Sequence, residues 1–157
     1  MKTPVAKIVI VASVLLSTVA VWSVAARLME DWSYQDLFTK SDFVVVAKPV
    51  AATRDTKERS ALRDIEPAEP VIGVTTEFQT LLVLKGSKRE RFTLHHYRRE
   101  SNVAVVNAPA LVSFDPVNDH RRYLLFLVHE PDDRFAPVAG QTDPKYISAQ
   151  ELSGMVE

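Results

Sequence analysis

Residues Ile8 to Ala26 carry no charge, and this run divides the chain before any other pattern does. Lys2 and Lys7 precede it; Arg27, Glu30 and Asp31 follow it. A short basic start, an apolar run and small residues at Val24, Ala25 and Ala26 describe a secretory signal peptide, cleaved after Ala25 or Ala26. The 19 residues of the run exceed the usual signal core of about 7–15 and suffice to span a bilayer as a retained helix. Trp22 and Arg27 suit the membrane interface in that second reading. Both readings keep the lysines inside and carry the rest of the chain outside, to a periplasmic or secreted location. A buried core helix is disfavoured, because the run offers no polar face to solvent.

The division sets residues 1–26 apart as signal peptide or anchor, 27–41 as a short helix and linker, and 42–157 as the folded domain. Removing residues 1–26 takes away two lysines and no acid, so the net charge of −1 becomes −3. A mildly acidic exported domain is a poor match for nucleic acid, so none is expected as a partner. The chain has no cysteine. That excludes a disulfide framework, a thiolate zinc site, a cysteine nucleophile and an acylated cysteine. The exported part must fold on hydrophobic burial alone, which its size permits.

Residues Trp32 to Lys40 predict a short helix, with Ser33 as N-cap and Asp36 three residues on as the reciprocal capping partner. Asp42 to Val50 follows as a β-branched strand, apolar on both faces at Val44 to Val46. Such a strand belongs in a closed barrel or under a helix, and Pro49 points to an edge or a bulge. The charge-rich stretch from Thr53 to Pro70 reads as a solvated loop. Val74 to Lys85 is a long strand, with Phe78, Leu82 and Leu84 as its expected core face. Gly86 opens a turn into a third strand, Arg91 to Tyr97, completing a hairpin. Ala110 to Phe114, Tyr123 to His129 and Phe135 to Ala139 are further strands, and Ser148 to Leu152 a weak final helix. The expected fold is all-β: a five- to six-stranded OB-like barrel with one or two short flanking helices, preceded by the N-terminal apolar segment, with an open sandwich as the alternative.

The segments SDFVVVAKPV (Ser41 to Val50), FQTLLVLKG (Phe78 to Gly86), RRYLLFLVHE (Arg121 to Glu130) and FAPVAGQTDPKYIS (Phe135 to Ser148) carry, in that order, a resemblance. The chain resembles bacterial exported netrin-like domains, the class that also contains the tissue-inhibitor-of-metalloproteinases fold. The resemblance implies an OB barrel outside the cytoplasm and leaves activity open. The inhibitory activity of the animal proteins uses an N-terminal cysteine to chelate the protease zinc. No residue of this sequence can inherit that role, and the family's disulfides are absent as well.

His95 and His96 are adjacent on a strand, so they point to opposite faces and cannot share an ion. His96 lies with Phe92 and Leu94, as a core histidine would. His120 and His129 flank one strand. No His-x-His or HExxH spacing is present, and Asp115 to Asp119 lacks the alternating oxygens of a calcium loop, so no metal or cofactor is expected. No Gly-x-Ser-x-Gly elbow or phosphate-cradling loop occurs. The candidate contact residues are Arg98, Arg99, Arg121 and Arg122 with Tyr97, a basic rim suited to a protein or cell-envelope component. The membrane is a further partner through residues 8–26. The sequence thus reads as an exported, non-catalytic binding domain. Two alternatives stand beside it: an envelope enzyme using His95 or His129 with a carboxylate as acid and base, and a membrane-tethered structural domain.

Overall fold

The strands of this chain are rich in apolar residues, and with so few of them the way to bury their inner faces and remove the sheet edges is to close the sheet. The computed structural model describes residues 32–62, 68–100, 111–114, 121–140 and 148–152. One helix, α1 (Tyr34–Lys40), precedes seven strands: β1 (Phe43–Pro49), β2 (Arg54–Leu62), β3 (Glu69–Lys85), β4 (Arg91–Arg99), β5 (Tyr123–His129), β6 (Phe135–Pro137) and β7 (Ala149–Glu151). Strands β1, β3, β4, β6 and β5 pair in that order, and β5 returns to β1. The β4–β6 contact is parallel; the other four barrel pairings are antiparallel. The barrel is therefore closed, five-stranded and OB-like, with β2 paired to β3 and β7 to β5 outside it.

The interior is aromatic. Phe43, Phe78, Phe92, Phe114 and Phe135 are buried together with Tyr123 and the inward leucines Leu94, Leu125 and Leu127. Phe78 stacks on Phe92 at 5.5 Å, and Phe114 meets Phe78 edge-on at 5.0 Å. A second cluster lies outside the barrel, where α1 lays Leu37 on Val44 and Phe126. That double burial explains why β1 is apolar on both faces: Val45 and Ala47 fill the barrel while Val44 supports the helix. The helix starts as the sequence predicts. The Asp36 amide donates to the Ser33 hydroxyl at 3.1 Å, and the Ser33 amide donates back to the Asp36 carboxylate.

Four expectations are corrected. Residues Arg54 to Leu62 form β2 rather than a loop, because an edge strand keeps its outward side chains in water and tolerates charge there. The expected final helix is instead β7, whose three residues satisfy the open edge of β5. Between residues 111 and 114, only Leu111 makes a bridge pairing. Phe78 is core as expected, but Leu82 and Leu84 are exposed. Two register shifts against β1 cause this: Val45 pairs with Val83 and Ala47 with Thr80, leaving Leu81 and Leu84 as extra residues in β3. The alternation changes phase at Leu81, so Val83 replaces Leu82 at the core.

Candidate functional site

Gly73 lies in the part of β3 that runs between β2 and β4. A β-carbon there would lie 2.9 Å from both Glu58 Cβ and Thr56 Oγ1. Glycine thus lets β2 close over β3. The β2 register jumps at this point: Asp55 pairs with Val74 and Arg59 with Ile72, so Thr56, Lys57 and Glu58 form a bulge. Thr56 pins the bulge, its hydroxyl donating to the Gly73 carbonyl at 2.8 Å and accepting from the Glu58 amide at 3.1 Å. The Glu58 side chain is thereby carried across Gly73 to the outer face of β4.

Alternation along β4 decides what Glu58 meets. Phe92, Leu94 and His96 point into the barrel. His95 and Tyr97 point outward, their rings 5.1 Å apart. His95 Nε2 lies 3.1 Å from Glu58 Oε2, and Tyr97 donates a short hydrogen bond to Glu58 Oε1. From the opposite side, Glu130 at the end of β5 brings both carboxylate oxygens to 3.0 Å from His95 Nδ1. His95 is buried, and its imidazole lies between two carboxylates. Burial, then the hydrogen bond and the charge of Glu58, push the Tyr97 phenol up to about 12.

The turn from Glu130 to Arg134 completes the cluster. The Glu130 amide donates to the Arg134 carbonyl at 2.8 Å, and Asp133 takes a left-handed conformation at φ 65°. Arg134 Nε sits 2.5 Å from Asp132 and 3.5 Å from Glu130. Asp133 holds His129 and Arg89, each at 3.1 Å; the His129 hydrogen bond, then that of Arg89, keeps its carboxyl below the ordinary range. Glu58, His95, Tyr97, Glu130 and Arg134 form one half-buried polar patch on the β3–β4 face. It lies between the β1–β3 connection, which contains β2, and the β5–β6 turn.

The second histidine of the pair behaves differently. His96 Nε2 lies 2.8 Å from the Thr76 hydroxyl, which is 2.7 Å from the Thr53 hydroxyl. Its ring meets Phe114 edge-on at 5.1 Å. Burial and, next, the adjacent His95 lower its pKa to about 4, with a hydrogen bond to the Val112 backbone acting the other way. It is the neutral core histidine that its position on the strand predicts.

The sequence-derived rim divides. Tyr97 joins the polar patch. Arg98 grips Asp55 with a forked contact, Nε to Oδ1 at 2.7 Å, which lowers the Asp55 carboxyl and raises the guanidinium. Arg99 pairs with the buried Glu69, and Arg121 reaches Glu151 at 3.4 Å. Arg122 is partly exposed, and its carbonyl accepts from the Leu152 amide at 2.7 Å. Three of the four arginines thus face carboxylates of the same domain. Sequence reasoning missed Glu58, Glu130 and Arg134. One signal bears on Glu58: a lone glycine such as Gly73 inside a strand marks a bulge or close approach. His120 and the Asp115 to Asp119 segment lie outside the described residues. Among the described residues, no group of three or more His, Asp or Glu side chains could hold a metal ion.

No protein-family model matches this chain, and no curated protein matches it either.

Proposed function

We propose that this chain is an exported, non-catalytic binding domain whose ligand seats on the polar patch of the β3–β4 face. One observation carries the reading: Glu58, Tyr97, His95, Glu130 and Arg134 converge where an OB barrel presents its second and third strands between the first and fourth connecting loops. OB domains bind oligosaccharides and oligonucleotides on that face. The chemistry selects between them. Glu58, Glu130 and Asp132 would repel a phosphate backbone, whereas carboxylates, a phenol and a guanidinium together suit the hydroxyls of a sugar. A hydroxyl-rich glycan of the cell envelope is the ligand class we propose, in keeping with the netrin-like resemblance and the export segment.

A second reading has one observation in its favour. His95 and Glu130 lie within hydrogen-bond reach, as an acid–base pair requires. Against it, the ring is buried and a carboxylate faces each nitrogen, which leaves it positioned to hold Glu58 and Glu130 rather than to shuttle a substrate proton.

Co-sedimentation with insoluble envelope polysaccharide tests the proposal. The wild type is expected to pellet with the glycan. Glu58→Gln with Glu130→Gln should weaken that binding by roughly tenfold or more, the scale of a lost charge-assisted hydrogen bond. Arg121→Ala with Arg122→Ala should retain it. The opposite pattern would move the contact surface to the arginine rim and overturn the reading. Glycan turnover by the wild type that disappears in His95→Gln would establish the enzyme instead.

A further inference from the structure

The flank beside α1 carries large apolar side chains in water. Leu81, Leu82 and Leu84 are 44%, 55% and 48% exposed, and Phe38 of α1 is 40% exposed. The register joins them. Leu82 pairs with Val46 on the face away from the core, and Val46 pairs on its other side with Leu124, which packs in the cluster under α1. Lys85 Nζ ties the end of β3 to the end of the helix, donating to the Phe38 and Thr39 carbonyls at 2.7 and 3.0 Å. Its ammonium lies 5.3 Å from the Phe38 ring. Lys88, in the turn after β3, is exposed. Two bulges, at Leu84 and at Leu81, interrupt the alternation of β3 against β1 and turn leucines outward. A continuous alternation would have buried Leu82.

The route of the chain identifies what this flank meets. Trp32 packs against the cluster under α1, with Lys40 Nζ 3.8 Å over its ring. The uncharged run ends at Ala26, and residues 27–33 reach at most about 25 Å when fully extended. If residues 8–26 stay in a bilayer, the α1 flank is held within that reach of the lipid. We infer that the flank rests on the lipid surface: Leu81, Leu82, Leu84 and Phe38 enter the interface, and Lys88 faces headgroup phosphates. Lysine beside the leucines opposes a second copy across a two-fold axis and favours an anionic leaflet. The tether supplies a high effective concentration of lipid, so a few leucines suffice where they would not anchor a free protein. The inference rests on the tethered reading of residues 8–26. It also leaves the glycan face of β3–β4 open.

The absence of cysteine makes the test direct, since one introduced thiol takes all of a label. The full chain is reconstituted into phosphatidylcholine–phosphatidylglycerol vesicles at less than one copy per vesicle, some vesicles containing nitroxide-labelled lipid. Leu82→Cys carries an environment-sensitive fluorophore, and Lys57→Cys on β2 is the control. The expected result is blue-shifted emission at position 82, strongly quenched by the nitroxide lipid, with water-like and unquenched emission at position 57. Adding Leu81→Ser and Leu84→Ser should return the position 82 probe to water while the chain stays in the vesicles. A vesicle-bound chain with a water-like probe at position 82 overturns the docking alone. A blue-shifted but unquenched probe assigns the flank to protein contact and overturns it too. A chain that does not enter vesicles overturns the tether and the docking together.

Discussion

Replacing Gly73 by alanine sets two opposed effects against each other. Alanine in a strand position with normal φ is intrinsically better than glycine by about 0.5–1 kcal/mol, because it loses less backbone entropy on folding. The added β-carbon, however, would lie 2.9 Å from Glu58 Cβ and 2.9 Å from Thr56 Oγ1. Neither atom is the free end of a long side chain, so the β2 bulge must move as a unit. Overpacking of this kind costs about 1–3 kcal/mol, and the Thr56 hydrogen bond to the Gly73 carbonyl adds about 1 kcal/mol if it breaks. The clash wins, for a net loss of ~1–2 kcal/mol. For a chain of this length the melting temperature should fall by about 3–6 °C. The substitution should also release Glu58 from Tyr97, so the Tyr97 phenol should titrate below its present value of about 12. Urea unfolding and an alkaline ultraviolet titration, with Tyr97→Phe to identify the Tyr97 signal, read both effects. A Gly73→Ala protein as stable as the wild type, with the Tyr97 titration unchanged, would refute the claim that glycine is what admits Glu58 to the patch.

Three further outcomes are expected. The folded-state pKa of His96, about 4, lies below the unfolded value of 6.5. The unfolded chain therefore binds more protons between those values, and stability falls as pH drops from about 6.5 to about 4, by ~3 kcal/mol in all from this residue. Urea midpoints at pH 7 and pH 4 should converge in His96→Asn relative to wild type; an equal drop in both would refute the assignment. Arg99→Ala should cost about 2–4 kcal/mol by leaving Glu69 buried without its guanidinium, and adding Glu69→Gln should restore part of it; additive losses in equilibrium unfolding would contradict the pairing. Ser33→Ala should cost about 1 kcal/mol by removing the cap of α1, and Asp36→Ala on top should cost less than it does alone. A double-mutant cycle by urea unfolding checks that coupling.

Much of the barrel is legible from local pattern. Tyr123 to His129 and the hairpin around Gly86 have one reading each, because apolar, β-prone runs lie between clear turns. The capping box at Ser33 and Asp36 is equally local. What pattern alone misses is decided by partners far along the chain. β2 is as charged as a loop, and it becomes a strand because β3 runs on past the barrel and offers it an edge. Leu82 alternates correctly with Phe78, yet the extra residue at Leu81, set by the register with β1, turns it outward. The polar patch is less legible still. His95 and Tyr97 sit two apart on β4, so their shared face is readable. Glu58 reaches them across a bulge and Glu130 from the far end of β5, and only closure of the barrel brings those two carboxylates to one ring. The arginine pairs stood out because adjacent charges are conspicuous in sequence, while their acidic partners Asp55, Glu69 and Glu151 lie 30 or more positions away.

Amide chemical-shift mapping with soluble N-acetylglucosamine oligomers, as probes of an envelope glycan, addresses the central claim most directly. The account predicts saturable shifts at Glu58, His95, Tyr97, Glu130 and Arg134, with the Arg121 and Arg122 amides still. Saturable shifts confined to the Arg121–Arg122 side, or no shifts at all alongside glycan that co-sediments with the protein, would contradict it.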